Sequence, residues 1–90
     1  MNEVFEALAH PVRREILKLL RKRAMSAGEL AEHFTIAKPT LSGHFTVLKN
    51  ADLVTTERQG TTIIYRLNMS VMEEALAAFM ALAGSKGKER

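Results

Sequence analysis

The chain has 90 residues, enough for one small domain, and a domain of that size buries only a modest share of its surface. It contains no cysteine, which excludes disulfides, thiolate metal centres and redox-sensing thiols. With 47% hydrophobic and 26% charged residues it reads as globular rather than disordered, and its net charge of +3 is mildly basic.

Asn2 to Ala9 reads as a short helix with Val4, Phe5 and Leu8 on one side. Pro11 suits the first turn of a second helix, where its missing N–H costs nothing. That helix aligns Val12, Ile16, Leu19 and Leu20 in one stripe at the helical period. Arg13, Arg14, Lys18, Arg21, Lys22 and Arg23 crowd the same segment, opposed there only by Glu15. They form either a solvated face or a patch that meets phosphates. Ser26 and Glu29 have the spacing of a capping box and open a third helix, with Leu30, Ala31 and Phe34 inward. Thr35 to Ala37 makes a turn in which Ile36 plugs the core.

Pro39 starts a fourth helix whose buried side is Leu41, His44, Phe45 and Leu48. Thr40, Ser42, Gly43, Thr46 and Lys49 remain outward, with Lys38 just before them. Short hydroxyl side chains pack poorly against protein, but they suit a helix that enters a groove and touches base edges and phosphates. Gly43 is costly in mid-helix, by roughly 1 kcal/mol against alanine. Either a close backbone approach needs it or the helix tolerates the loss.

From Leu53 the pattern turns β-branched. Leu53 to Arg58 and Thr61 to Leu67 read as a hairpin about a Gln59-Gly60 turn, with Ile63, Tyr65 and Leu67 on one face. Ser70 and Glu73 repeat the capping-box spacing and open a last helix that is apolar nearly all round, including Leu82. Such a helix must be covered on more than one side, and so small a domain covers only one. A seam between two copies accounts for the rest, built from Val4, Phe5 and Leu8 of the first helix and Val71, Met72, Ala75, Leu76, Phe79 and Met80 of the last.

The expected fold is therefore mainly α with a β-hairpin: a winged helix-turn-helix, homodimeric through its first and last helices. Residues 1–83 form the domain and 84–90 a flexible charged tail. The N-terminus lacks the basic start and apolar core of a signal peptide. The longest apolar run, Ala75 to Ala83, is nine residues, too short for a bilayer. A cytoplasmic location without membrane insertion is expected.

The stretches ALAHPVRREILKLL, GELAEHFTIAKPTLSGHFTVLKNADLV and ERQGTTIIYRLN, in that order and spacing, resemble the ArsR/SmtB family of winged-helix repressors. The resemblance runs from Val4 to about Leu82 and is greatest to the metal-free, SdpR-like branch. It implies a homodimer that binds inverted-repeat operators, often in its own promoter, and is released by a ligand. It places a recognition helix on Pro39 to Asn50 and a wing tip on Arg58 to Thr62. It puts Lys38, Thr40, Ser42, Gly43 and Thr46 toward the groove, and with the residues' own reading the expected DNA-contacting set is Arg13, Lys38, Pro39, Thr40, Ser42, Gly43, His44, Thr46, Lys49, Arg58, Gln59, Gly60 and Thr62.

Two residues depart from the family pattern. His10 stands where an acidic residue usually precedes the proline, and Gly43 where a histidine or arginine is common. His44 is either a half-buried histidine bonded to a backbone carbonyl, or a base contact or metal ligand. Arg13 is either a structural ion pair or a phosphate contact. Arg58, beside the glycine turn, is placed to reach a minor groove or phosphate, whereas Arg66 only solvates its strand.

Metal sensors of the family use cysteines near the third and fourth helices, or Asp, His and Glu on the last. Here Glu29 and His33 make a surface pair, the last helix has Glu73 and Glu74 without a histidine, and no metal or other cofactor is expected. No Ser/His/Asp set, paired carboxylate or phosphate-cradling loop suggests an enzyme. The reading is a repressor that binds a double-stranded DNA operator as a homodimer and answers to a protein or small-molecule inducer. The alternatives are a protein-interaction module or a metal- or ligand-responsive sensor of the same fold.

Overall fold

A computed structural model describes residues 1–84; the expected tail lies, from residue 85 on, outside the described residues. The elements are α1 (Asn2–Leu8), α2 (Pro11–Lys22), β1 (Met25–Ser26), α3 (Ala27–Ala31), α4 (Lys38–Asn50), β2 (Val54–Gln59), β3 (Thr62–Leu67) and α5 (Met69–Ala83). This is the winged helix-turn-helix order. A two-stranded hairpin is expected from sequence, but β1 adds a third antiparallel strand, giving the order β1-β3-β2. β1 is two residues long and pairs Met25 with Tyr65 and Ser26 with Ile64. A strand that short has no readable alternation, which is why the sequence hides it.

The core is a single apolar cluster. Ile16, Leu17, Leu19 and Leu20 of α2 meet Leu30 of α3, Leu41, Phe45 and Leu48 of α4, and Leu53 and Val54 at the start of the wing. Val12, expected in the core stripe, is only half-buried, and Leu17 is buried in addition. Each fully buried leucine contributes about 1.5–3 kcal/mol, so the helix-turn-helix is held mainly by its own apolar faces.

The ends of the helices explain the register. Ser26 accepts the Glu29 N–H at 3.1 Å and Glu29 accepts the Ser26 N–H at 2.9 Å, the reciprocal box expected from sequence. The Ser26 N–H holds the Glu29 carboxyl below its ordinary range, aided by Arg23. α3 stops at Ala31, however, so Phe34 lies beyond its end and packs against the core from the turn. The second expected box does not form: α5 begins at Met69, placing Ser70 inside its first turn, and its N-cap is Asn68 without a side-chain cap bond.

Asn68 instead ties α5 to the end of α4. Its Nδ2 donates to the Asp52 carbonyl and its backbone N–H to the Leu53 carbonyl, both at 2.9 Å. That carbonyl pair follows a Schellman ending, in which Leu53 N–H reaches Leu48 O and Asp52 N–H reaches Lys49 O. Asp52 carries the left-handed φ of 61° that this ending requires. The wing turn is Gly60-Thr61, one residue later than expected, because Gln59 pairs with Thr62; Gly60 takes the positive φ of 64°.

Candidate nucleic-acid interface

α4 is seated against α1 and α2 by a polar cluster. Arg13 donates through Nε to the Ala7 carbonyl at 2.8 Å, through Nη2 to the Glu6 carbonyl at 3.1 Å, and through Nη1 to His44 Nδ1 at 3.0 Å. The carbonyls at the end of α1 have no partner inside their own helix, and a guanidinium suits both them and the negative end of the helix dipole. Arg14 does the same for Leu8 O at 2.8 Å. His10 caps α2, its Nδ1 accepting the Val12 N–H at 3.1 Å, and its ring lies 4.4 Å from that of His44. A histidine thus fills the capping place where the family pattern has an acid.

Arg13 is therefore engaged by carbonyls and an imidazole rather than by an ion pair, one of the two readings open from sequence, and His44 takes Arg13 rather than a carbonyl as its partner. A guanidinium only donates, so Nδ1 of His44 is the unprotonated nitrogen. Burial holds the ring below its ordinary value near 6.5, and repulsion from His10 and Arg13 pushes the same way. The unfolded chain takes up this proton first, so the stability His44 contributes is present above its ordinary value and lost as pH falls through the lower folded one. Thermal melts at about pH 7.5 and about pH 5.5 are expected to show a drop in the wild type that His44→Gln reduces. Equal drops in both proteins would exclude His44 as the cause.

On the outer side of α4, Lys38, Pro39, Thr40, Ser42, Gly43, Thr46 and Lys49 are all exposed, while Leu41, Phe45 and Leu48 are buried. The expected division of the helix into two faces is what the structure has. Thr46 Oγ1 donates to the Ser42 carbonyl at 3.2 Å, which leaves its lone pairs and methyl outward. A Cβ built on Gly43 meets nothing within 4 Å, so no packing inside the protomer requires glycine there. Lys38 and Ser42 open a cleft of about 250 Å³ with Gly28, Ala31 and Tyr65. Tyr65, read from sequence only as a strand residue, stacks 5.0 Å from Phe45, and burial pushes its hydroxyl pKa up.

At the wing, Arg58, Gln59, Gly60 and Thr62 are exposed, with Arg58 opposite Ile63 across the hairpin. Arg66 is paired to Glu57 at 3.0 Å rather than merely solvated. Lower in the chain, Arg23 bonds Ala24 O and Glu29.

Residues 8–57 match the helix-turn-helix domain family. The chain is 45% identical over 76 residues to the transcriptional repressor SdpR of Bacillus subtilis, covering 84% of each protein. It is 37% identical over 73 residues to the arsenical resistance operon repressor of Staphylococcus xylosus, covering 81% of this chain and 70% of that protein. The chain belongs to the ArsR/SmtB family of winged helix-turn-helix repressors. Its fold matches the crystal structure of the ArsR family transcriptional regulator RHA00566 with a TM-score of 0.86 at 28% identity, over 99% of this chain and 91% of that one. Family membership makes it a regulator of transcription and not an enzyme.

The expected seam divides in two. Val4 and Ala75 are corrected: both side chains are buried in the protomer's own core and offer nothing to a partner. Phe5, Leu8, Val71 and Met72 are half-buried against that core. Leu76, Phe79 and Met80 stand exposed, together with Leu82. Among the described residues no three acidic or histidine side chains gather as a metal site, and no helix is long and apolar enough to cross a membrane. The Glu29 carboxylate, expected from sequence to pair with His33, is committed instead to Ser26 and Arg23.

Proposed function

We propose that this chain represses transcription in the cytoplasm as a homodimer on an inverted-repeat operator, its own promoter among its targets. The observation that carries this reading is the uncovered face of α4, which presents hydroxyls, a glycine and a lysine at each end and no apolar patch for a protein partner. α4 enters the major groove, and the two-fold axis sets the second copy about 34 Å away, one turn of DNA. Lys38 and Lys49 hold phosphates, which fix register without reading sequence. Pro39 shapes the first turn between Lys38 and the reading side chains.

Thr40 and Ser42 reach base edges through their hydroxyls, and Thr46 offers its methyl to a thymine. Gly43 lets the helix backbone sit close to the base edges, which accounts for a glycine that the protomer itself does not need. Arg58, with Gln59, Gly60 and Thr62, brings the wing to the flanking backbone or minor groove. His44 and Arg13 stand behind the helix and set its seat. Repression follows when the bound dimer excludes RNA polymerase.

Ser42→Ala and Thr40→Ala are each expected to weaken operator binding by about 1–3 kcal/mol while binding to random DNA stays unchanged. Titrations on both DNAs at one salt concentration check this. An equal loss on random DNA would remove the base-reading role. Footprinting on the DNA around its own gene tests autoregulation, and the absence of a protected inverted repeat there would overturn it.

A further inference from the structure

Where α2, the end of β3 and the start of α5 meet, the surface opens into a groove of about 380 Å³, within the range of small-ligand sites. Its floor is apolar, formed by Leu17, Leu67, Met69 and Met72, with Leu8 at the α1 end. Its rim is cationic: Arg14, Lys18 and Arg21 line one side, spaced so that they stack along a single edge of the helix. Arg14 is fixed by its bond to Leu8 O. Among the described residues, Lys18 and Arg21 have no hydrogen-bonding or ion-pair partner.

This rim, which the sequence leaves open as a solvated face or a phosphate patch, lies away from the exposed face of α4. No residue of α3 or α4 lines the groove. Leu67 stands five residues along β3 from Thr62, roughly 17 Å from the wing turn. A DNA backbone laid here would satisfy the cations but leave the apolar floor in water. The most exposed stretch of α5, Leu76 to Ala83, carries no acid to meet three cations, and the exposed acids a second copy has on its seam helices are Glu3, Glu6, Glu73 and Glu74, an alternative that sedimentation separates below.

We propose that the groove is a binding site for an amphipathic aliphatic carboxylate, its chain laid on Leu17, Leu67, Met69 and Met72 and its head group held by Arg14, Lys18 and Arg21. Both halves of such a molecule are matched: burying the chain removes apolar surface from water on both partners, and the carboxylate relieves repulsion among three neighbouring cations. Leu8 and Met72 also belong to the proposed dimer seam, so the groove and the seam share an edge.

Calorimetric titration of the full chain with sodium dodecanoate, below its micellar concentration and without DNA, tests the site independently of the operator reading. Saturable binding at one site per chain is expected, at least tenfold weaker in the Lys18→Glu/Arg21→Glu variant, and at least tenfold weaker for dodecanol than for dodecanoate. Both substituted side chains are exposed, and a melting curve confirms that the variant folds. Absence of binding, equal binding by the variant, or equal affinity for dodecanol would each overturn the proposal. So would loss of self-association by the variant in sedimentation, which would assign the cations to a second copy.

Discussion

Replacing Arg13 by alanine is expected to cost about 2–3 kcal/mol of stability, or roughly 10–20 °C in melting temperature for a domain of this size. The reason lies in what the guanidinium holds. It bonds two carbonyls at the end of α1 and Nδ1 of His44 on α4, so one side chain joins three helices. Truncation leaves Ala7 O and His44 Nδ1 without this donor in a half-buried place, which costs more than the bonds themselves contribute, whereas Glu6 O keeps the Ala9 N–H at 3.1 Å. Arg13→Lys is expected to recover little, because an ammonium on a flexible stem lacks the planar fork that reaches three acceptors at once. Arg14→Ala, which removes one exposed bond, is expected to cost less than 1 kcal/mol.

The same variant separates a positioning role from a phosphate contact. A lysine or arginine that neutralises a phosphate contributes about one unit to the slope of log affinity against log salt. Arg13→Ala is expected to weaken operator binding only as far as α4 loses its seat, with the salt slope unchanged. A slope lower by about one, with stability intact, would return Arg13 to the DNA surface.

Arg13 also marks the limit of what could be read from the chain. In sequence it is one of six basic residues crowded between positions 13 and 23, all alike on a charge count. The fold divides them by direction: Arg13 turns to α1 and α4, Arg14, Lys18 and Arg21 border an apolar groove, and Arg23 reaches Glu29. His44 and the groove residues Leu67, Met69 and Met72 come from elements distant in sequence, and even the nearer partners on α1 are reached only because the chain folds back at His10, so no local pattern encodes the division. The exposed face of α4 was legible because helical period alone separates Thr40, Ser42, Gly43 and Thr46 from Leu41, Phe45 and Leu48.

Capping shows the same boundary from another side. Ser26 and Glu29 form their box, whereas Ser70 and Glu73, at the same spacing, do not. The motif depends on where the helix begins, and Asn68 fixes that point for α5 through bonds to Asp52 and Leu53. Local spacing proposes a helix start; long-range bonds decide it. Ala75 was misassigned for a related reason, since on a helix apolar all round the sequence does not say which side the domain takes.

That helix carries the second large effect. The second half of α5 presents Leu76 at 61% exposure, Phe79 at 58%, Met80 at 41% and Leu82 at 79%. A 15-residue helix is about 22 Å long, and past Ala75 only Ala78 is as much as half-buried. Left in water, these side chains forfeit about 1.5–3 kcal/mol each. A two-fold seam buries every such residue twice. Phe79→Glu is therefore expected to remove roughly 3–6 kcal/mol of association energy, about a hundredfold to ten-thousandfold in the dimer dissociation constant, before the cost of desolvating two carboxylates. Sedimentation equilibrium at micromolar concentration should find monomers, and operator affinity should fall at least a hundredfold, because a monomer engages one half-site. Val4→Ala supplies the contrast: its side chain is core, so it should lower the melting temperature and leave the dimer constant unchanged. A Phe79→Glu protein that still sediments as a dimer and binds its operator would place the seam on another face, and leave the apolar end of α5 without a role.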